Sequence, residues 1–155
     1  MAIYITRNTK SGETGTTRRY NFSEVNSVSD RSIQNNIKIS SPNQDSNDNT
    51  IFNLNGISRI VSFAFNIYND GTDRSNGTHT STVTTIQEQY DYLKNTFLTG
   101  DTGVEYNLVV EFDSVEIINM VGMINNLTPN ILFNTPNRIA VNFEFEEGSN
   151  PFKVT

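Results

Sequence analysis

Three runs of two-residue alternation dominate this chain, and they leave room for few folds. Val61, Phe63, Phe65 and Ile67 alternate with Ser62, Ala64 and Asn66. Val104, Tyr106, Leu108, Val110 and Phe112 stand opposite Glu105, Asn107 and Glu111. Ile139, Val141, Phe143 and Phe145 stand opposite Asn142, Glu144 and Glu146. Successive side chains of a strand point to opposite faces, so each run has one face for a core and one for water or a partner. Between the first two runs the period changes. Ile86, Tyr90, Leu93 and Phe97 fall at i, i+4, i+7 and i+11, one stripe of a helix. Thr85 and Glu88 form a capping box, with Thr84 as an alternative cap, and Gly100 supplies a stop. The spacing predicts a helix over about residues 85–98.

The remaining segments are shorter and more polar. Ala2 to Thr6 reads as a strand and Arg18 to Phe22 as its return, across a Gly- and Thr-rich loop at Lys10 to Thr17. From Ser23 to Asn36 alternation is weak, with Val25, Val28 and Ile33 as the apolar anchors, and no long hairpin is legible. Ile37 and Ile39 mark a short strand before the loop Ser41 to Thr50, and Asn55-Gly56 reads as a tight turn. Asn69 to His79 is a second loop. Val115 to Val121 carries apolar side chains on both faces, as expected of a strand that is central or covered by another chain. Pro129 and Pro136 bracket Ile131, Leu132 and Phe133, which predicts a loop or bulge with buried anchors from Asn125 onward. The predicted fold class is mainly β, an antiparallel sandwich or partly closed barrel with one flanking helix. A chain of 155 residues reads as a single domain, with residues 1–50 as a polar N-terminal hairpin and arm.

Composition narrows the function classes. Hydrophobic residues make up 35% and charged residues 18%, both low, and Asn, Thr and Ser make up the difference. Ten phenylalanines concentrate the apolar volume locally, so either the core is small or neighbouring subunits complete it. A net charge of −6, with no basic cluster beyond Arg18-Arg19, argues against binding nucleic acid by phosphate neutralisation. An acidic wall past which DNA slides remains compatible with that charge. The absence of cysteine removes disulfides, thiolate metal sites and thiol catalysis. No apolar run approaches membrane-spanning length and the start lacks a secretion-signal pattern, so the expectation is a soluble product made in the cytoplasm.

Chemistry-bearing residues are few. His79, the single histidine, lies in a polar loop without a nucleophile elbow and reads as a solvated loop side chain. Asp101-Thr102-Gly103 is the tripeptide of aspartic proteases, but it follows a helix end rather than an apolar strand and reads as a turn. Asp45, Asn47 and Asn49 alternate like a calcium loop without its Gly and closing Glu; Asn69, Asp70 and Asp73 also offer oxygens. Both sets read as turns. The acceptor pattern for N-glycosylation occurs at Asn21, Asn76 and Asn126, as chance allows in a chain rich in Asn and Thr. No catalytic, cofactor or metal residue is expected, and no enzyme. Glu144, Glu146 and Glu147 with Glu105 and Glu111 form an acidic strand face that is either merely wet or an acidic lining.

The order of hairpin, polar loop, long strand, helix and acidic-ended strands resembles the tail-tube-like proteins of tailed viruses and contractile injection systems. The resemblance is carried by the pattern of Ser58–Ile67, Thr85–Gly100 and Arg138–Gly148 and covers about residues 50–150. It implies a structural virion protein, a tube, hub or terminator component assembled in the host cytoplasm. Such subunits join into hexameric rings that stack around a channel, with other tail proteins as partners and DNA as passing cargo, and no membrane. It makes Glu105, Glu111, Glu144 and Glu146 candidates for the lumen. Ile3, Ile5, Ile118 and Met120 become candidates for subunit contacts, through the N-terminal arm and the edges flanking Val115–Val121. A receptor- or carbohydrate-binding β-sandwich using the loops Asn69–His79 and Asn125–Pro136 is the alternative, and a dimeric aspartic protease on Asp101 a third.

Overall fold

Seven strands and one helix account for the alternating runs and for most of the chain between them. The computed structural model describes residues 1–10, 12, 13, 15, 17–39, 50–98, 104–131, 133, 134 and 137–148. In chain order the elements are β1 (Ala2–Asn8), β2 (Thr17–Asn21), β3 (Val28–Ile39), β4 (Thr50–Tyr68), α1 (Ile86–Phe97), β5 (Tyr106–Phe112), β6 (Val115–Asn130) and β7 (Arg138–Glu147). They form one open sheet in the order β2-β1-β5-β6-β7-β4-β3, antiparallel at every pairing. The mainly β, antiparallel architecture with one helix is thus the one expected, built as one sheet.

The sheet curls. Ser23, just past edge strand β2, bridges to Asn66 in β4, five strands away in the sheet order, with the Asn66 N–H donating to the Ser23 carbonyl at 3.2 Å. Inside the curl lie the predicted inward faces: Val61, Phe63, Phe65 and Ile67; Tyr106, Leu108 and Val110; Val141, Phe143 and Phe145. Phe143 is central to the aromatic packing, with ring centroids 4.8 Å from Phe63 and 5.0 Å from Phe22. Phe112 departs from its run. A register shift follows Val110, and Phe112 ends 58% exposed.

Helix α1 closes the concave side. Its predicted capping box is present, with the Glu88 N–H donating to Thr85 Oγ1 at 3.2 Å and the Thr85 N–H to Glu88 Oε2 at 3.0 Å. The buried face is rotated from the apolar stripe. It consists of Gln89, Tyr92, Leu93, Thr96 and Phe97, while Ile86 and Tyr90 are only partly buried. Gln89 explains the rotation. Its Oε1 accepts from the Tyr20 hydroxyl at 3.2 Å, and its Nε2 donates to the carbonyls of Tyr68 (2.6 Å) and Thr84 (2.9 Å). A fully buried amide with its hydrogen bonds met ties β2 to the end of β4.

Two segments overturn the sequence expectations. Asn55-Gly56 is no turn: β4 runs unbroken through it, and β3 spans the weakly alternating stretch as its partner, down to Ile39 opposite Thr50. Backbone pairing along β3 outweighs the local turn preference. Likewise β6 continues through the expected loop at Asn125 to Asn130, with a register shift between Ile124 and Asn126. Beyond it Ile131 is exposed and Phe133 wholly so, rather than buried.

β6 also changes partner along its length. Val115 to Gly122 pairs with β5, and Gly122 to Asn130 pairs with β7. Gly122 alone pairs with both, opposite Tyr106 and Glu147. The sheet is therefore two staggered halves that share one strand and cross at one residue.

Candidate assembly surfaces

Most apolar side chains of the inner face lie in the core, so the surfaces left for function are chiefly the convex face, the strand edges and the loops. The predicted contact residues do not lie there. Ile3 and Ile5 are 4% and 0% exposed, Ile118 and Met120 6% and 1%, all within the core cluster. This corrects the contact assignment by one residue of strand parity. The apolar side chains that β6 turns outward are Val115, Ile117, Val121 and Met123, with Ile117 61% exposed. A strand central to the sheet order thus carries an uncovered apolar stripe on its convex side.

Glutamates flank this stripe in two groups. Glu146 lies opposite Met123 and Ile60, and Glu144 opposite Asn126 and Ser62, with the Asn125 amide donating to Glu144 Oε1. Glu105 precedes Tyr106, which pairs with Gly122, so it is level with the same end of the stripe. Glu111 lies at the other end, opposite Glu116 and Ala2, and accepts from the Tyr4 hydroxyl at 3.0 Å. Glu116 and Met123 are seven residues apart on β6, roughly 23 Å along a strand. The four predicted residues therefore share a face without forming one cluster.

The two sheet edges differ. β2 is sealed by the loop between β4 and α1: the Asn21 N–H donates to the Arg74 carbonyl at 2.8 Å, and the Arg19 N–H to Thr78 Oγ1 at 2.9 Å. The N-terminal hairpin is thus bound to its own chain along the edge it was expected to offer. At β3, by contrast, the described residues pair on one side only. Among the described residues β4 meets β7 only from Ile60 onward, and Thr50 to Arg59 pairs with β3 alone. The result is a two-stranded ribbon about 30 Å long at strand rise, with a bidentate Asp30–Arg59 ion pair at its base (2.7 and 3.0 Å). At Val121 the side of β6 away from β5 meets Gly148, whose N–H donates to the Val121 carbonyl at 3.1 Å.

No protein-family model and no curated protein matches the sequence. Among solved structures the chain is similar to the tail of an empty GTA (gene transfer agent) particle with C6 symmetry, at 10% identity over 94% of this chain and 90% of that one, TM-score 0.46. It is also similar to the six-fold symmetrised baseplate of the anti-feeding prophage, at 6% identity over 95% and 89%, TM-score 0.49. Both neighbours are tail or baseplate structures.

The loop between β4 and α1 uses its carboxylates internally. Asp73 accepts from the N–H groups of Ser75 (3.1 Å), Gly77 (3.1 Å) and Val83 (3.0 Å) and from the Ser75 hydroxyl (2.7 Å). Though burial opposes it, these hydrogen bonds hold its carboxyl below the ordinary range. Asp70 pairs with Arg74, and Asn69 Oδ1 accepts from the Ile86 N–H at 2.7 Å. Their oxygens serve as turn and helix anchors. The His79 ring is half-buried against Tyr92, at 4.8 Å between centroids, with Nδ1 at 3.1 Å from Ser81 Oγ. Asp101-Thr102-Gly103 and the Asp45, Asn47 and Asn49 set lie outside the described residues.

One charged site was not foreseen. Arg7 and Arg18 stand directly opposite each other in β1 and β2, both facing inward and at most 6% exposed. Like charges in that position repel. Glu13 takes Arg7 bidentately at 2.7 and 2.8 Å, and that bond holds its carboxyl at about 2. The sign follows from the depressed value: the contribution is complete above the ordinary carboxylate range and is lost as pH falls from about 4.5 towards about 2. Glu13→Gln is expected to cost about 2 kcal/mol near neutrality, the worth of hydrogen bonds to a charged group. It should also flatten the fall of Tm between those pH values. Thermal melts of both proteins from pH 2 to 7 check this, and parallel acid limbs would refute the pairing.

Proposed function

We propose that the chain is a structural virion protein, a tail-tube-like subunit that acts by assembling into rings, hexameric and stacked around a channel for DNA, without catalysis. One observation carries the reading: the β3–β4 ribbon extends past the sheet with no strand beside it among the described residues. A two-stranded ribbon alone is marginal in water, so one of this length is explained by a neighbour that receives it. The uncovered Val115, Ile117, Val121 and Met123 stripe supports the same need for a partner. So does the strand and helix order of the sequence. Head-to-tail contacts that close on rotation give rings. In such a ring the Ile117 half of the convex face packs against a neighbour. Glu105, Glu144 and Glu146 remain wet and line the channel, repelling phosphate rather than binding it; Glu111 belongs to the contact half.

The test is mass and negative-stain imaging across a concentration series, on the parent and on a variant whose residues 34–57 are replaced by an Asn-Gly turn between Ile33 and Ser58, which are paired. The parent should form rings or tubes above a threshold concentration. The shortened variant should keep its far-UV spectrum and stay monomeric, with a loss of self-association of at least about a hundredfold, or ~3 kcal/mol. A parent that is monomeric at every concentration overturns the proposal.

A further inference from the structure

We propose that the pocket beside Arg18 binds an oxyanion. The pocket has a volume of about 360 Å³ and is lined by Arg18, Thr17, Thr78, Thr80, His79 and the backbones of Gly15 and Gly77. Arg18 is 94% buried by its 6% exposure, and its Nη1 donates to the Thr78 carbonyl. That carbonyl is neutral. Glu13, the carboxylate nearest in sequence, is engaged bidentately by Arg7. Among the described residues Arg18 has no carboxylate within ion-pair distance. Two inward-facing guanidiniums thus share one carboxylate, and one positive charge is left over at a site largely removed from water.

A buried charge without a counter-charge is costly, and the cost falls when an anion supplies it. A guanidinium carries five donors in a planar fork that suits carboxylate and phosphate oxygens. Threonine hydroxyls on the same wall can donate to the remaining oxygens. Gly15 fits close to the guanidinium: a Cβ there would lie 3.3 Å from Arg18 Nη1, and its φ of +99° favours glycine. The wall is therefore open to an anion though the chain as a whole is acidic. The shared chemistry is a planar or tetrahedral oxyanion. It has two sources, free phosphate or the carboxylate of an acidic side chain from a second copy.

The experiment is NMR titration of the ¹⁵N-labelled full chain, below any assembly threshold and at constant ionic strength, with inorganic phosphate and separately with sodium acetate. The proposal expects saturating shifts confined to the amides of Gly15, Thr17, Gly77, Thr78, His79 and Thr80, with slowed water exchange of the Arg18 Nε–H. Saturation by phosphate alone assigns the site to phosphate, and saturation by acetate assigns it to a carboxylate. Arg18→Gln should weaken binding at least tenfold. If that variant does not fold, the Arg18 Nε–H readout in the wild-type chain decides. Shifts that are absent with both anions, or that grow linearly across the surface, overturn the proposal.

Discussion

Gly122→Ala is expected to cost about 3 kcal/mol of stability or more, or to leave the chain insoluble. A Cβ at this position would lie 1.9 Å from the carbonyl oxygen of Glu146 and 2.9 Å from the Phe145 ring. The first obstacle is backbone in a paired strand, which cannot swing aside as a side-chain end would. Relief requires moving β7 away from β6 where the two half-sheets meet. Gly148→Ala is the matched control. Among the described residues a Cβ there meets nothing within 4 Å, and its effect should stay within about 0.5 kcal/mol. Urea unfolding of the two variants beside the parent measures the contrast. Equal midpoints for all three would mean that the crossing is looser than described.

Phe143→Ala should be comparably damaging, at about 3–5 kcal/mol, the usual cost of emptying an aromatic site in a core. Its ring is 2% exposed and packs against Phe22, Phe63, Phe65 and Phe145, from the segment after β2 and from both β4 and β7. For a domain of this size that corresponds to a fall in Tm of roughly 10 °C. Phe133→Ala removes the same atoms from a side chain that is 100% exposed, and no loss is expected. Calorimetry on the pair separates core packing from composition. A Phe143→Ala variant that melts within a few degrees of the parent would contradict the packing.

The strands that build the inner face were legible because burial on one side enforces period two, and Phe63, Phe65, Phe143 and Phe145 carry that signal without interruption. The helix was legible from Thr85 and Glu88, whose mutual hydrogen bonds are local. What escaped has non-local causes. The sequence through Asn55-Gly56 carries no regular alternation, so the dipeptide reads as a turn. Pro129 argued against a strand, yet among the described residues the β6 segment around it pairs with β7 alone, where an unpaired side tolerates a missing donor. For Val115–Val121 both faces are apolar, so the pattern does not tell Ile118 from Ile117; the register against β5 does. Arg18 was visible as half of a basic dipeptide, but only its pairing opposite Arg7 reveals that one arginine points inward and its neighbour Arg19 stacks outside on Tyr4 at 3.6 Å.

The strand shared by the two half-sheets also sets when this protein can fold. The two halves stay unjoined until residues 115–130 exist, since β5 pairs with the first part of β6 and β7 with the second. Loop closure between β1 and β5 spans about a hundred residues, a slow, high-contact-order step. On the ribosome the nascent chain would therefore carry its phenylalanine-rich segments uncovered until β6 has emerged. The apolar faces of β4 and β5 would be chaperone clients during most of their own synthesis, and the native ladder would form late and all at once.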